Sequence, residues 1–254
     1  PNHKPPEGRA YWLRIKDEGW TKRVLAAYGP KARQWREPLE VTPTMHFTMG
    51  GVRIDEHGRS TVEGLFAAGE AAGGIHGGNR LGSVALTDIM VFGKRAGEAA
   101  ARRAKEVGVP SLDDGIASDK SLRPPIKSDG RYHPIHLNRE LQRMMWENVG
   151  LLRTRASLEQ ALKSIGELSH KARDLRIPDS RRYNMPLVEA IELGFMLTVA
   201  EAITRSALAR EESRGAHYRA DFPDRDDANW VKNIIVFQEN GEMKTRIQPV
   251  EVLS

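Results

Sequence analysis

The sequence predicts an α/β region followed by an all-α region that closes on a β-hairpin. Three observations carry this reading. A strand-like run, Leu65-Phe66-Ala67-Ala68, leads into the glycine-rich loop EAAGGIHGGNRLGS (Glu70 to Ser83), and an apolar helical pattern leaves it near Val84. Strand, glycine loop and helix start is how a sheet presents backbone N–H groups to an anionic ligand. Beyond about residue 135 the glycine and strand patterning gives way to three stretches of helical periodicity. Finally, Ile234 to Phe237 and Lys244 to Ile247 flank Asn240-Gly241, a strong signal for a two-residue hairpin turn.

Composition narrows the function classes. The 254 residues can form one large domain or two smaller ones, and a hydrophobic content of 39% is enough for a packed core. The net charge of +5 is mild and its basic residues are interspersed with acidic ones, so no nucleic-acid surface is read. The absence of cysteine excludes disulfides and thiolate-held zinc or iron–sulfur clusters within these residues. It leaves the compartment open while suiting a cytosolic protein. No apolar run approaches membrane-spanning length, and no signal peptide is visible. The first residue is Pro1 rather than Met, which reads as a fragment or a processed piece.

Each element follows from local chemistry. Pro1 to Gly8 is proline-rich and reads as extended. Tyr11 to Ala32 reads as one or two short helices, and Leu39 to Pro43 as the approach to a strand. Gly51 to Asp55 alternates like a strand, His57-Gly58 supplies a turn, and Thr61-Val62 a return strand. Gly64 to Ala68 reads as the next, more buried strand. Ser83 is placed to N-cap a helix running to Lys105, with Ala85, Ile89, Phe92, Ala96 and Ala100 on one face and Gly108 as its stop. Pro110 to Pro134, rich in Pro, Asp and Ser, reads as a linker. Leu137 to Val149 is the first helix of a bundle, with Met144, Met145 and Trp146 expected in the core. Ser157 with Gln160 forms a capping box for a second helix through Ala172, striped by Leu158, Ala161, Leu162, Ile165 and Leu168. Asn184 caps a third from Leu187 to Arg210, with Pro186 tolerated in its first turn. Three helices with short connections make a small bundle.

The chemistry-bearing residues cluster in two places. His46 lies in PTMHFTMGG (Pro43 to Gly51), and His76 and Arg80 stand at the end of the glycine loop, where a second anion such as a carboxylate would meet them. Arginine offers a planar fork of donors to a carboxylate, and histidine adds one directed donor. For His76 a loop-stabilising role is favoured over substrate contact. In ESRGAHYR (Glu212 to Arg219) the charged residues are read as tying the helical region to the glycine-loop region.

PTMHFTMGG, GLFAAGEAAGGIHGGNRLG (Gly64 to Gly82), VFGKRAG (Val91 to Gly97) and ESRGAHYRADFPDRDDANW (Glu212 to Trp230) resemble segments of the succinate dehydrogenase/fumarate reductase flavoprotein family. Four motifs in the family's order span about Val41 to Arg246, and the loop is spelled as in non-classical fumarate reductase-like members. The resemblance implies four parts. Residues 1–45 are the tail of a capping domain, and 46–109 the C-terminal part of a Rossmann-type FAD-binding domain. Residues 110–134 are a linker, and 135–254 a helical C-terminal domain with a three-helix bundle and terminal β-hairpin. The family's GxGxxG fingerprint and its capping-domain arginine motif are not found, so the chain reads as the C-terminal half of a longer polypeptide.

Carried over residue by residue, the resemblance makes His46 and Arg80 substrate-binding. It makes Glu70, Ala85 and Leu86 contacts of FAD, with no metal ligand. The usual Asn-Ser-Leu at the helix start is Val84-Ala85-Leu86 here, so a hydroxyl contact is lost while N–H contacts can persist. No catalytic proton donor is read in this chain; the resemblance puts an arginine in that role upstream of Pro1. The implied function is the flavoprotein subunit of a succinate dehydrogenase or fumarate reductase. Its partners would be a dicarboxylate substrate and an iron–sulfur protein subunit, with a membrane anchor reached through the latter. It would be cytoplasmic or peripheral on the cytoplasmic face of the membrane. The alternatives are an L-aspartate oxidase, which shares most of these motifs, and a cofactor-free interaction module.

Overall fold

A computed structural model describes residues 26, 45–108, 124, 126–180 and 182–250. The chain divides into two units, residues 1–46 and 47–254. In the first, the described residues Ala26, Met45 and His46 are all exposed. The readings for Pro1 to Gly8 and Leu39 to Pro43, nearly all of Tyr11 to Ala32, and most of the linker lie outside the described residues.

The second unit opens with β1 (Val52–Arg53), which pairs in parallel with β2 (Ala72–Gly73), Val52 opposite Ala72 and Arg53 opposite Gly73. Between them the chain turns at His57-Gly58 as the sequence predicts. One Asp55 carboxylate oxygen accepts from the amides of His57 and Arg59, an Asx-type turn. The expected strands at Thr61-Val62 and Gly64 to Ala68 are a correction. Phe66 makes a single bridge to Arg59, Ile54 another to Ser60, and Leu65 is exposed. A strand persists only where a neighbour pairs its amides, and among the described residues none continues the pairing.

Helix α1 (Val84–Val107) follows the loop and ends at Gly108, whose N–H donates to Ala104 O. It buries Asp88, Ala96 and Ala99, while Ile89, placed on the buried face by its periodicity, is exposed.

The bundle forms from three helices. Helix α2 (Pro134–Val149) begins at a proline, whose missing N–H costs nothing in a first turn. Helix α3 (Arg155–Lys171) is capped by Thr154, which exchanges hydrogen bonds with Ser157 at 3.1 Å in each direction. The capping box therefore sits three residues earlier than Ser157–Gln160: Ser157 takes the position that reaches back, where a hydroxyl serves in place of the usual Glu or Gln. Helix α4 (Met185–Ala209) is capped by Asn184 at Leu187 N, 3.1 Å, with Pro186 in its first turn. The predicted stripe of α3 is buried at Leu158, Ala161, Ile165 and Leu168. It packs on Leu137, Leu141 and Met144 of α2 and Ala190, Leu193, Leu197 and Ala200 of α4. Met145 is half-buried against this core, whereas Trp146 is exposed, since it lies on the outer face of α2. Residues 127–132, within the stretch read as linker, hydrogen-bond through their backbone to 174–177.

After α4 the chain forms a short helix α5 (Asp227–Trp230) and a hairpin, β3 (Lys232–Glu239) with β4 (Glu242–Pro249). Its two-residue turn is Asn240-Gly241, with φ of 52° and 81°, the left-handed pair that matches strand twist.

Candidate active site

The site is built around the glycine loop. A short helical turn, Gly69–Ala71, leads into β2, and the Glu70 carboxylate accepts the Thr48 amide at 2.8 Å. That bond fastens the Phe47–Gly50 segment beside the loop. His76 is buried and its Nε2 lies 3.1 Å from Asp88 Oδ2 on α1, with side chains 5% and 1% exposed. A carboxylate only accepts, so Nε2 carries the proton. The role favoured for His76, holding the loop, is what this pair does. The Phe47 ring stands edge-to-face with His76, centroids 5.3 Å apart, and the Arg80 guanidinium lies 4.5 Å over the Phe47 ring.

Arg80 is half-buried and donates one hydrogen bond, from Nη1 to Leu81 O at 3.2 Å. Its Nε is buried without a partner, and no carboxylate among the described residues pairs with it. By contrast Arg210, Arg214 and Arg219 each hold a carboxylate. A half-buried guanidinium with most of its donors free favours an incoming anion.

Ser83 does not cap α1, contrary to the sequence expectation. Its φ is 67°, and the side chain makes no capping bond, because capping requires extended backbone at that residue. The first-turn amides at Ala85 and Leu86 are therefore left uncapped by any side chain, with Ala85 half-buried and Leu86 exposed. A Cβ built on Gly74, Gly77 or Gly82 would meet nothing within 4 Å, so the loop's backbone borders open space. Uncapped amides and an unobstructed glycine backbone fit a flat, carbonyl-bearing, anionic cofactor such as FAD.

The ESRGAHYR segment docks on this loop, but through its backbone and a glycine rather than through the charged residues read as the tie. Ala216 N–H donates to Gly78 O at 2.9 Å. Gly215 has φ of 60°, and a Cβ there would fall 2.2 Å from Gly78 O, so only glycine allows this approach. The segment is stiffened by charge. Glu212 is fully buried and accepts from Arg210, Arg214 and the Asp226 amide. Burial pushes its carboxyl up, and Arg214, the Asp226 amide and Arg210 outweigh that and hold it below the usual range. Arg219 is fully buried and forks onto both Asp221 oxygens at 2.8 Å. Its Nη1 also donates to the carbonyls of Ala207, Leu208 and Arg210, closing the C-terminus of α4.

His217 accepts from Arg153 Nη1 at Nδ1, 2.9 Å, and its Nε2 faces Arg210 O at 3.4 Å. Burial, then the Arg153 charge, pushes its pKa down from 6.5 to about 4. The unfolded chain therefore takes up the proton first as pH falls. The stability contributed by neutral His217 is complete above about 6.5 and lost from there towards about 4. Glu212 and Asp221, held below the ordinary carboxylate range, lose their contribution only at lower pH. Thermal unfolding of the FAD-loaded enzyme across this window should show a falling midpoint. Glutamine keeps an acceptor and a donor without titrating, so His217→Gln should flatten the slope there.

Phe47 and Asp88 have no place among the sequence-predicted site residues. Phe47 lies inside a quoted motif, but nothing in its spacing links it to Arg80. Asp88 sits in the second turn of a helix, where an acid ordinarily faces water. Among the described residues no group of His, Asp or Glu is arranged to hold a metal, and no helix is long and apolar enough to cross a membrane.

Comparison with known proteins gives the family. A family model described as "Fumarate reductase flavoprotein C-term" matches residues 138–253, and one described as "FAD binding domain" matches 13–86. The chain is 46% identical over 200 residues to a fumarate reductase (CoM/CoB) subunit of Methanothermobacter marburgensis, covering 79% of this chain and 36% of that protein. It is 39% identical over 223 residues to the fumarate reductase flavoprotein subunit of Haemophilus influenzae, covering 85% and 37%. A solved quinol-fumarate reductase with menaquinol molecules superposes with a TM-score of 0.86 at 32% identity, over 100% of this chain and 44% of that one. The chain thus spans well under half the length of these relatives. The chain belongs to the succinate dehydrogenase/fumarate reductase flavoprotein family, as its C-terminal flavoprotein domain.

Proposed function

We propose that this chain forms part of a flavoprotein subunit that transfers hydride between FAD and the succinate/fumarate pair, exchanging electrons with an iron–sulfur protein. The observation that carries the reading is Arg80, a half-buried guanidinium without a carboxylate partner among the described residues, one turn before an uncapped helix start. Bound FAD supplies the two-electron acceptor and donor for the CH–CH bond. Arg80 clamps one substrate carboxylate with paired N–H donors, neutralising charge that grows as an enolate develops. His46 is read as substrate-binding from its PTMH motif. Glu70, Ala85 and Leu86 hold the flavin, the last two through backbone N–H. The proton donor is an arginine of the capping domain, outside this chain. Residues 1–45 complete that capping domain and 46–109 the flavin domain.

The test is anaerobic titration of the FAD-loaded enzyme followed by flavin absorbance. Succinate should bleach the oxidised flavin and fumarate should restore it, while L-aspartate does neither. Bleaching by L-aspartate and not by succinate would replace this reading with that of an aspartate oxidase.

A further inference from the structure

Arg80 does not aim itself. Its guanidinium lies on the Phe47 face, 4.5 Å from the centroid, and its single hydrogen bond runs to the adjacent residue's carbonyl. A guanidinium held over a ring keeps its charge against the π face while its remaining N–H donors are open to a carboxylate. The Phe47 ring therefore sets where the guanidinium rests and which side of it stays open to an acceptor. The same ring meets His76 at 81° and 5.3 Å. His76 is fixed in turn by Asp88, at 3.1 Å, with both side chains almost fully buried.

Asp88 calls for an explanation of its own. It is 4% exposed, on a helix face otherwise buried through Ala96 and Ala99, and its Oδ1 has no hydrogen-bond partner. Burying a carboxylate with one oxygen unsatisfied is costly, and the helix N-terminus offsets only part of that. The loop could be closed more cheaply by an apolar contact. What a charged, directional pair adds is a defined imidazole orientation, since the proton on Nε2 must point at Oδ2.

We propose that Asp88, acting through His76 and Phe47, is a positioning residue that sets the aim of Arg80 at the substrate carboxylate. This rests on the dicarboxylate reading above. The two can fail separately.

The experiment is a double-mutant cycle on the FAD-loaded enzyme. It is read as the dissociation constant for malonate, a dicarboxylate with no CH–CH bond to oxidise. Flavin content and melting temperature are recorded for every variant. Asp88→Asn should weaken malonate binding about fivefold and Phe47→Leu about tenfold, with Phe47→Tyr close to wild type because it keeps the ring. In an Arg80→Ala background, with malonate titrated to saturation, Asp88→Asn should change the constant no further. Equal weakening in both backgrounds, or none in either, overturns the proposal and leaves the dicarboxylate reading standing. If Arg80→Ala itself leaves malonate binding unchanged, both fall. Should Phe47→Leu lose its flavin, the near-isosteric Asp88→Asn decides alone.

Discussion

Arg80→Ala should cut the efficiency of fumarate reduction and succinate oxidation by roughly 30- to 1,000-fold, the equivalent of about 2–4 kcal/mol of transition-state stabilisation. On the proposed function the substitution removes the charge and the fork together and leaves a substrate carboxylate without its partner. Arg80→Lys should fall in between, because an ammonium restores the charge without two parallel donors. His46→Ala should cost less than Arg80→Ala if its part is orientation and polarisation. Neither residue is assigned to the flavin, so flavin content should hold in all three variants. Steady-state turnover in both directions, with flavin measured on the same samples, checks this. Near-normal turnover of Arg80→Ala would remove the main argument for a dicarboxylate.

Arg219→Ala should be the most destabilising single change in the ESRGAHYR segment. The arginine is fully buried, holds both oxygens of Asp221 and supplies three carbonyls at the end of α4 with their donor. Asp221 is part-exposed and can turn to water, but the helix-end carbonyls are stranded, at about 1–3 kcal/mol for each buried acceptor left unsatisfied and so about 3–5 kcal/mol in all. For a domain of this size that lowers the melting temperature by roughly 6–20 °C. Arg219→Lys should recover little, since one ammonium cannot both fork onto Asp221 and reach the three carbonyls. Arg155, which pairs at the surface with Glu159 and Glu211, provides the contrast. Its replacement should cost about 1 kcal/mol or less. Differential scanning calorimetry of the FAD-loaded variants separates these outcomes.

Much of the fold is legible in the sequence because it rests on short-range chemistry. The Asn240-Gly241 turn needs two left-handed residues, and that pair supplies them. The α3 stripe of Leu158, Ala161, Ile165 and Leu168 follows from a repeat of 3.6 residues, and Asn184 caps the amide three residues on. The misplacements have physical sources too. Ser83 has the look of a cap because a hydroxyl precedes a helix, but its backbone is left-handed. Ser157 has the spacing of a cap for α3, yet Thr154 offers its oxygen one turn earlier. Gly64 to Ala68 has strand composition, but strands need partners, and composition does not supply them.

The candidate site residues stand out in the sequence, and the contacts among them do not. Arg80 and Glu70 stand out in a motif. That Glu70 holds the Thr48 amide, or that Phe47 carries Arg80 on its face, joins residues far apart in sequence. Asp88 is invisible because burial of a helical acid leaves no trace in periodicity. The contact of Gly215 with Gly78 is foreshadowed only by two glycines and a charged cluster, which announce a docking without naming the atom.

The most direct measurement is a crystal structure of the FAD-loaded enzyme with malonate bound. The account predicts one malonate carboxylate accepting two hydrogen bonds from the Arg80 guanidinium at about 2.7–3.2 Å, with Phe47 still beneath Arg80. Malonate bound elsewhere, with the Arg80 guanidinium paired instead to a protein carboxylate, would contradict it.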